Sequence, residues 1–242
     1  MKRRDFLGKA GAGALIGGGL LAGCKQTDTA PAGAPAPASR ETIHWKMVTT
    51  WPKNFPGLGT GANNLARLIG EMSGGRLQVK VFGAGELVPA LQVFDAVSQG
   101  TAELGHGSAY YWKGKVPTAQ IFAAVPVGLT AQEMNAGLYH AGGQDLWRET
   151  YEPFGRVPAA AGISGVQLAG WFNREINSLS VLEGLKMRIP GLGGEVLKRA
   201  GGTPVNMAGG ELFTSLQSGA IDATEWVGPY NDLAFGLYKA AK

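Results

Sequence analysis

The chain has 242 residues, 45% hydrophobic and 17% charged, with a formal net charge of +4 and a single cysteine. One cysteine excludes a disulfide framework, a cysteine-based metal site and a catalytic thiol in the body. Lys2, Arg3, Arg4 and Lys9 against Asp5 account for most of the positive charge, which leaves the remainder near +1, without a basic stripe for nucleic acid.

Residues 1–23 read as an export signal. A basic flank precedes a weakly apolar run from Ala10 to Ala22, too short for the ~20 residues that an α-helix needs to cross a bilayer. Arg3-Arg4 followed by Phe6-Leu7 resembles a twin-arginine signal, although Lys2 and Gly8 depart from the usual pattern. Leu21-Ala22-Gly23-Cys24 resembles a lipobox, in which Cys24 is acylated and anchors the chain to a membrane. Residues 24–40 are rich in Pro and Ala and predict an extended tether, reaching about 40 Å at ~3.1 Å per residue.

The folded body begins near Glu41. Thr42–Val48 and Arg76–Phe82 alternate like strands, and Gly61–Ser73 and Leu87–Gln99 carry apolar residues at helical spacing, closed by Gly74-Gly75 and Gly100. Leu104–Ala109 reads as a third strand leading into Tyr110-Tyr111-Trp112. This rhythm predicts α/β architecture with parallel strands. An internal echo supports two similar lobes: Gly85-Glu86-Leu87 through Leu104 and Gly210-Glu211-Leu212 through Ala223 share the order helix, Gly, small residue, apolar residue, acid and strand. A ligand would then lie between the lobes, at the strand ends.

Three polar residues interrupt runs that otherwise read as buried strands. Gln167 lies in Gly165–Phe172, Arg188 in Leu185–Pro190, and Glu225 beside Trp226 in Gly219–Asp232. They offer an amide oxygen, a bidentate cation and a carboxylate. A buried carboxylate needs a cation or several donors, or it keeps its proton, so Glu225 implies a partner. An Arg or Lys salt bridge and a bound ion are both open on the residues alone. His44, His106 and His140 are scattered without metal spacing, and no Gly-x-Ser-x-Gly elbow is present, which argues against an enzyme. Gly191–Glu195 is a glycine-rich turn without the Lys and Ser/Thr of a phosphate loop, although its helix start could face an anion.

Thr49–Lys53, Gly83–Pro89, His106–Lys115, Gly165–Ile176, Gly184–Pro190 and Gly219–Asp232 together resemble the substrate-binding proteins of tripartite ATP-independent periplasmic (TRAP) transporters, the DctP-like family. The similarity is greatest to the branch that binds 2-oxo monocarboxylates. It implies a two-lobed, type II-like periplasmic-binding-protein fold, with lobe I at 41–165 plus 227–242 and lobe II at 166–226. It also implies that Arg188 clamps a substrate carboxylate, that Gln167, Glu225 and the Trp226 carbonyl hold a metal cation touching the substrate, and that Tyr110 or Tyr111 lines the pocket. Sodium is the favoured cation and calcium the alternative. The implied role is transport: a non-enzymatic receptor in the periplasm that binds a small 2-oxo or 2-hydroxy carboxylate and serves TRAP membrane permease subunits, with homodimerisation open. A chemosensory or scaffold protein could use the same cleft, and an enzyme acting on 2-oxo acids is the remoter alternative. Family members continue for roughly one further domain's worth of chain beyond the position of Lys242. The second lobe, its C-terminal helices and a further acidic cation ligand are therefore expected to be incomplete here.

Overall fold

The computed structural model describes residues 41–241. The export signal, Cys24 and the tether lie outside the described residues. The body contains two sheets, both of the mixed α/β kind expected.

In the first sheet, β1 (Ile43–Thr49) lies between β2 (Leu77–Phe82) and β3 (Leu104–His106), all parallel. Met47 pairs with Val81 on one side and Leu104 on the other, while Thr49 pairs with His106. The crossover helix α1 (Leu58–Met72) packs through small residues, Gly59, Ala62 and Ala66. Leu68 and Met72, expected on the buried face, are exposed because the small-residue stripe lets the helix lie close to the sheet on a neighbouring face. The helix expected at Leu87–Gln99 is cut to a 3-10 turn, Ala90–Gln92, and α2 (Val93–Ser98). Pro89 is responsible: it sits at ψ 145° and disfavours helical backbone at Val88. Val48, Val93, Ala96 and Ala102 form the core beneath this sheet.

β3 stops at His106, and the chain enters a 3-10 turn at Ala109–Trp112. The helices α3 (Ala131–His140) and α4 (Gly143–Tyr151) follow. A Thr130–Glu133 capping box starts α3, satisfying two orphan helix-end donors. Trp147 and Tyr151 of α4 pack with Phe94 of α2 and Val116, and Trp147 stacks on Phe122 at 5.3 Å.

The second sheet has the order β4-β7-β5-β6, from β4 (Trp171–Phe172), β5 (Lys186–Arg188), β6 (Thr203–Val205) and β7 (Ala223–Thr224). β5 is parallel to β6 and β7, and β4 is antiparallel to β7. Helices α5 (Gly191–Arg199) and α6 (Leu212–Ser218) complete its layers, with Leu185, Met187, Leu197 and Ala223 in one core cluster. The strand expected over Gly165–Phe172 is reduced to its last two residues. Gly165 and Gly170 take φ of 75° and 146°, outside strand geometry, and residues 161–169 are exposed.

After β7 the chain forms α7 (Pro229–Phe235) and α8 (Leu237–Ala240). Leu237 and Ala240 pack against Leu212 and Leu216 of α6, while Asn231 Nδ2 donates to the Pro56 carbonyl at 2.5 Å. This last segment therefore touches both layers.

Candidate functional site

Arg188 ends β5 and Glu225 directly follows β7, its parallel neighbour, so the sheet itself brings them together at the C-terminal ends of two strands. The Glu225 amide donates to the Arg188 carbonyl at 3.1 Å. Arg188 is 1% exposed, yet its guanidinium is well supplied with acceptors. Nη1 donates to Glu225 Oε1 at 2.6 Å and to the Glu225 carbonyl at 3.0 Å, Nη2 to the Tyr111 hydroxyl at 2.9 Å, and Nε to the Met207 carbonyl at 3.4 Å. The Trp226 ring lies 4.9 Å from the guanidinium carbon, a cation–π contact.

Of the two partners left open for Glu225, the structure therefore contains the salt bridge, and contains it with Arg188, the residue expected to face a substrate carboxylate. The physical reason is proximity: two buried opposite charges on adjacent strand ends are each other's nearest compensation. Burial pushes the Glu225 carboxyl up to about 7, with Arg188 opposing the rise and the charge of Asp232 adding to it. Glu225 Oε2 and the Trp226 carbonyl accept no hydrogen bond among the described residues.

Tyr110 and Tyr111 come from the 3-10 turn after β3 and meet edge to face at 4.8 Å. Burial pushes both hydroxyls above the ordinary phenol range. Gly191, at φ 61°, opens α5 against Tyr110; a Cβ there would stand 2.9 Å from the Tyr110 Cβ, so the helix start can approach the ring only as glycine.

Gln167 does not sit inside a buried strand. It is exposed on the loop before β4, where Nε2 donates to Ser164 Oγ at 3.1 Å and Oε1 remains available. It still lines a cavity of about 30 Å³ together with Trp51, Tyr110, Tyr111 and Trp226, roughly the space of one water. Leu168 N–H donates to the Val227 carbonyl at 3.0 Å, which ties this loop to the segment after Glu225. A larger hollow of about 330 Å³, between α1 and β2, includes none of these residues.

Two supporting residues had no role assigned from sequence. Asp232 is 1% exposed; its Oδ2 accepts from Trp171 Nε1 at 2.8 Å and its Oδ1 from the Val227 and Gly228 amides, both at 3.1 Å. It fixes the backbone just beyond Trp226. The available signal was an acid in the first turn of a Gly-Pro-led helix. His106 accepts from Trp51 Nε1 through Nδ1 at 2.9 Å, and burial pushes it down to about 4. It orients the Trp51 wall as a neutral ring.

Of the three groups expected to hold the cation, Gln167 and Trp226 line this cavity, and the Glu225 carboxylate directly precedes Trp226 in the chain. No group of three or more His, Cys, Asp or Glu is arranged for a metal among the described residues. An all-oxygen set with a single negative charge suits a hard cation that also takes oxygens from a ligand, and does not suit a soft or transition metal. In chemical type, the residues fit the cation expected from sequence.

Comparison with known proteins bears on the family of the chain. The chain is 46% identical, over all 242 residues, to a Nostoc sp. protein named monocarboxylate 2-oxoacid-binding periplasmic protein, and spans 65% of its length. A TRAP periplasmic solute-binding protein of Pseudoalteromonas atlantica, with bound sodium and pyruvate, matches at 44% identity and a TM-score of 0.81. One from Colwellia psychrerythraea, with bound calcium and pyruvate, matches at 43% and 0.80. Each match covers 83% of this chain and 61% of the solved one, so the chain spans less than two thirds of these relatives. The bacterial extracellular solute-binding protein family 7, DctP, matches residues 47–242. The chain belongs to that family.

Proposed function

We propose that this chain is the extracytoplasmic binding component of a TRAP-type transporter, taking up a small 2-oxo or 2-hydroxy carboxylate together with sodium or calcium and delivering it to the membrane permease. The observation that carries this reading is Arg188: a wholly buried guanidinium at the strand ends, beside a small cavity walled by Trp51, Tyr110, Tyr111 and Trp226. A planar guanidinium matches a carboxylate in two parallel hydrogen bonds, which fixes the acid end of the ligand. Aromatic walls exclude water around the short remainder.

In this reading Arg188 takes the carboxylate, the tyrosines line the pocket, and Gln167, Glu225 and the Trp226 carbonyl hold the cation. The cation supplies positive charge to the ligand's ketone or hydroxyl oxygen. The lobes are 41–165 with 227–242 and 166–226, closing on the ligand by a hinge. Twin-arginine export and acylation of Cys24 place the receptor in the periplasm on a lipid anchor. It binds and does not turn over its ligand.

Calorimetric titration of the whole chain with pyruvate, lactate and succinate, with and without Na⁺ or Ca²⁺, tests the proposal. Pyruvate or lactate should bind best, only with a cation, and Arg188→Ala should lose binding. Unchanged affinity in Arg188→Ala removes the clamp, and binding indifferent to every cation removes the metal role.

A further inference from the structure

The Arg188–Glu225 contact has a consequence for ligand binding that neither the clamp nor the cation role contains. Two-pronged recognition of a carboxylate by arginine uses a pair of guanidinium N–H groups side by side. Nη1 is bonded to Glu225 Oε1 and the Glu225 carbonyl, Nη2 to the Tyr111 hydroxyl, and Nε faces the Met207 carbonyl. The backbone and phenol acceptors are neutral. Glu225 Oε1 is the one charged acceptor, and it has the shape of the ligand group itself: a carboxylate oxygen 2.6 Å from the guanidinium, 37 residues away in sequence and held by strand register.

We propose that Glu225 acts as an internal competitor for the anion site, a resident carboxylate that an incoming carboxylate must displace from Arg188 Nη1, with the cation drawing it away. This rests on the binding reading above and adds a direction to it. A residue that only ligates the cation can only help the ligand bind. An internal competitor instead opposes the anion whenever no cation is there to take it, since two carboxylates would then share one buried guanidinium. A cation alone is opposed in turn, because Glu225 must leave Arg188 to receive it. The receptor is thereby made selective for the pair over either ion singly.

The test is a change of sign. Propionate, a carboxylate without a ketone, is titrated into the whole chain in tetramethylammonium buffer with a chelator, and pyruvate is titrated with saturating Na⁺ or Ca²⁺. Glu225→Gln and Glu225→Met should each bind propionate at least about tenfold more tightly than the unchanged chain, the effect of removing one like charge at close range and an effective dielectric near 20. Both should bind pyruvate with cation more weakly. Equal or weaker propionate binding in folded variants overturns the competitor role. If neither variant gives a cooperative thermal transition, the unchanged chain decides: no propionate saturation below about 10 mM supports the proposal and saturation below it overturns the proposal. Failure of pyruvate to bind the unchanged chain with cation would instead remove the transport reading, and leaves the propionate arm readable.

Discussion

Replacing Asp232 with Asn tests how the loop beyond Glu225 is held. The substitution leaves one oxygen for the Val227 and Gly228 amides but presents an NH₂ group to Trp171 Nε1, 2.8 Å from the present acceptor. A hydrogen bond to a charged group contributes about 1.5–3 kcal/mol, and a buried donor left without an acceptor costs about 1–3 kcal/mol. Relief of repulsion with Glu225 and of the desolvation of a wholly buried carboxylate offsets part of this, giving a net loss of about 2 kcal/mol. At a urea slope of ~2 kcal/mol/M, the midpoint followed by far-UV circular dichroism should fall by about 1 M. Trp171→Phe removes the donor, so Asp232→Asn in that background should cost about 1–2 kcal/mol less. A midpoint shift under about 0.2 M, or strict additivity of the two substitutions, refutes the reasoning.

His106 gives a pH dependence with a definite sign. Its folded-state value of about 4 lies below the ordinary 6.5, so the neutral ring contributes stability that is complete above pH 6.5 and is lost as pH falls towards 4. The linkage amounts to about 3 kcal/mol at most. His106→Gln should flatten the stability profile across that window relative to the unchanged chain, and parallel profiles would contradict the assignment. Gly191→Ala meets both a φ of 61° and the Tyr110 Cβ at 2.9 Å. It should lower the melting temperature by about 3–8 °C, as expected for 1–2 kcal/mol in a chain this size, and weaken ligand binding by displacing Tyr110. A melting temperature within about 1 °C of the unchanged chain would show that α5 yields without strain.

What could be read from the residues follows from how local the physics was. β1 and β2 announce themselves by alternation, and Arg188 by a charge inside a short apolar strand, because each signal lies within seven residues. The helix after Gly85 was overextended since apolar spacing outweighed Pro89, whose effect on the preceding residue is a steric veto. Gln167 was misplaced for a similar reason: Val166 and Leu168 look buried by type, but flanking glycines at positive φ turn the run into an exposed loop. For Asp232 the local signal was only an acid in the first turn of a helix, because its decisive partner, Trp171, is 61 residues away. The pairing of Arg188 with Glu225 depended likewise on sheet order, in which β5 and β7 are neighbours although α5, β6 and α6 separate them in the chain.

The shortness of β7 has an implication for how this protein tolerates change. Ala223 and Thr224 are matched on one side to Met187 and Arg188 and on the other to Phe172 and Trp171, and Glu225 takes its place only because it comes next. Successive strand residues face opposite ways, so inserting or deleting one residue between Gly219 and Glu225 would present Thr224 or Trp226 to the guanidinium in place of the acid. Length variation and reporter insertions are therefore confined to segments such as the exposed residues 124–129, while the turn leading into β7 must keep its residue count for the site to exist at all.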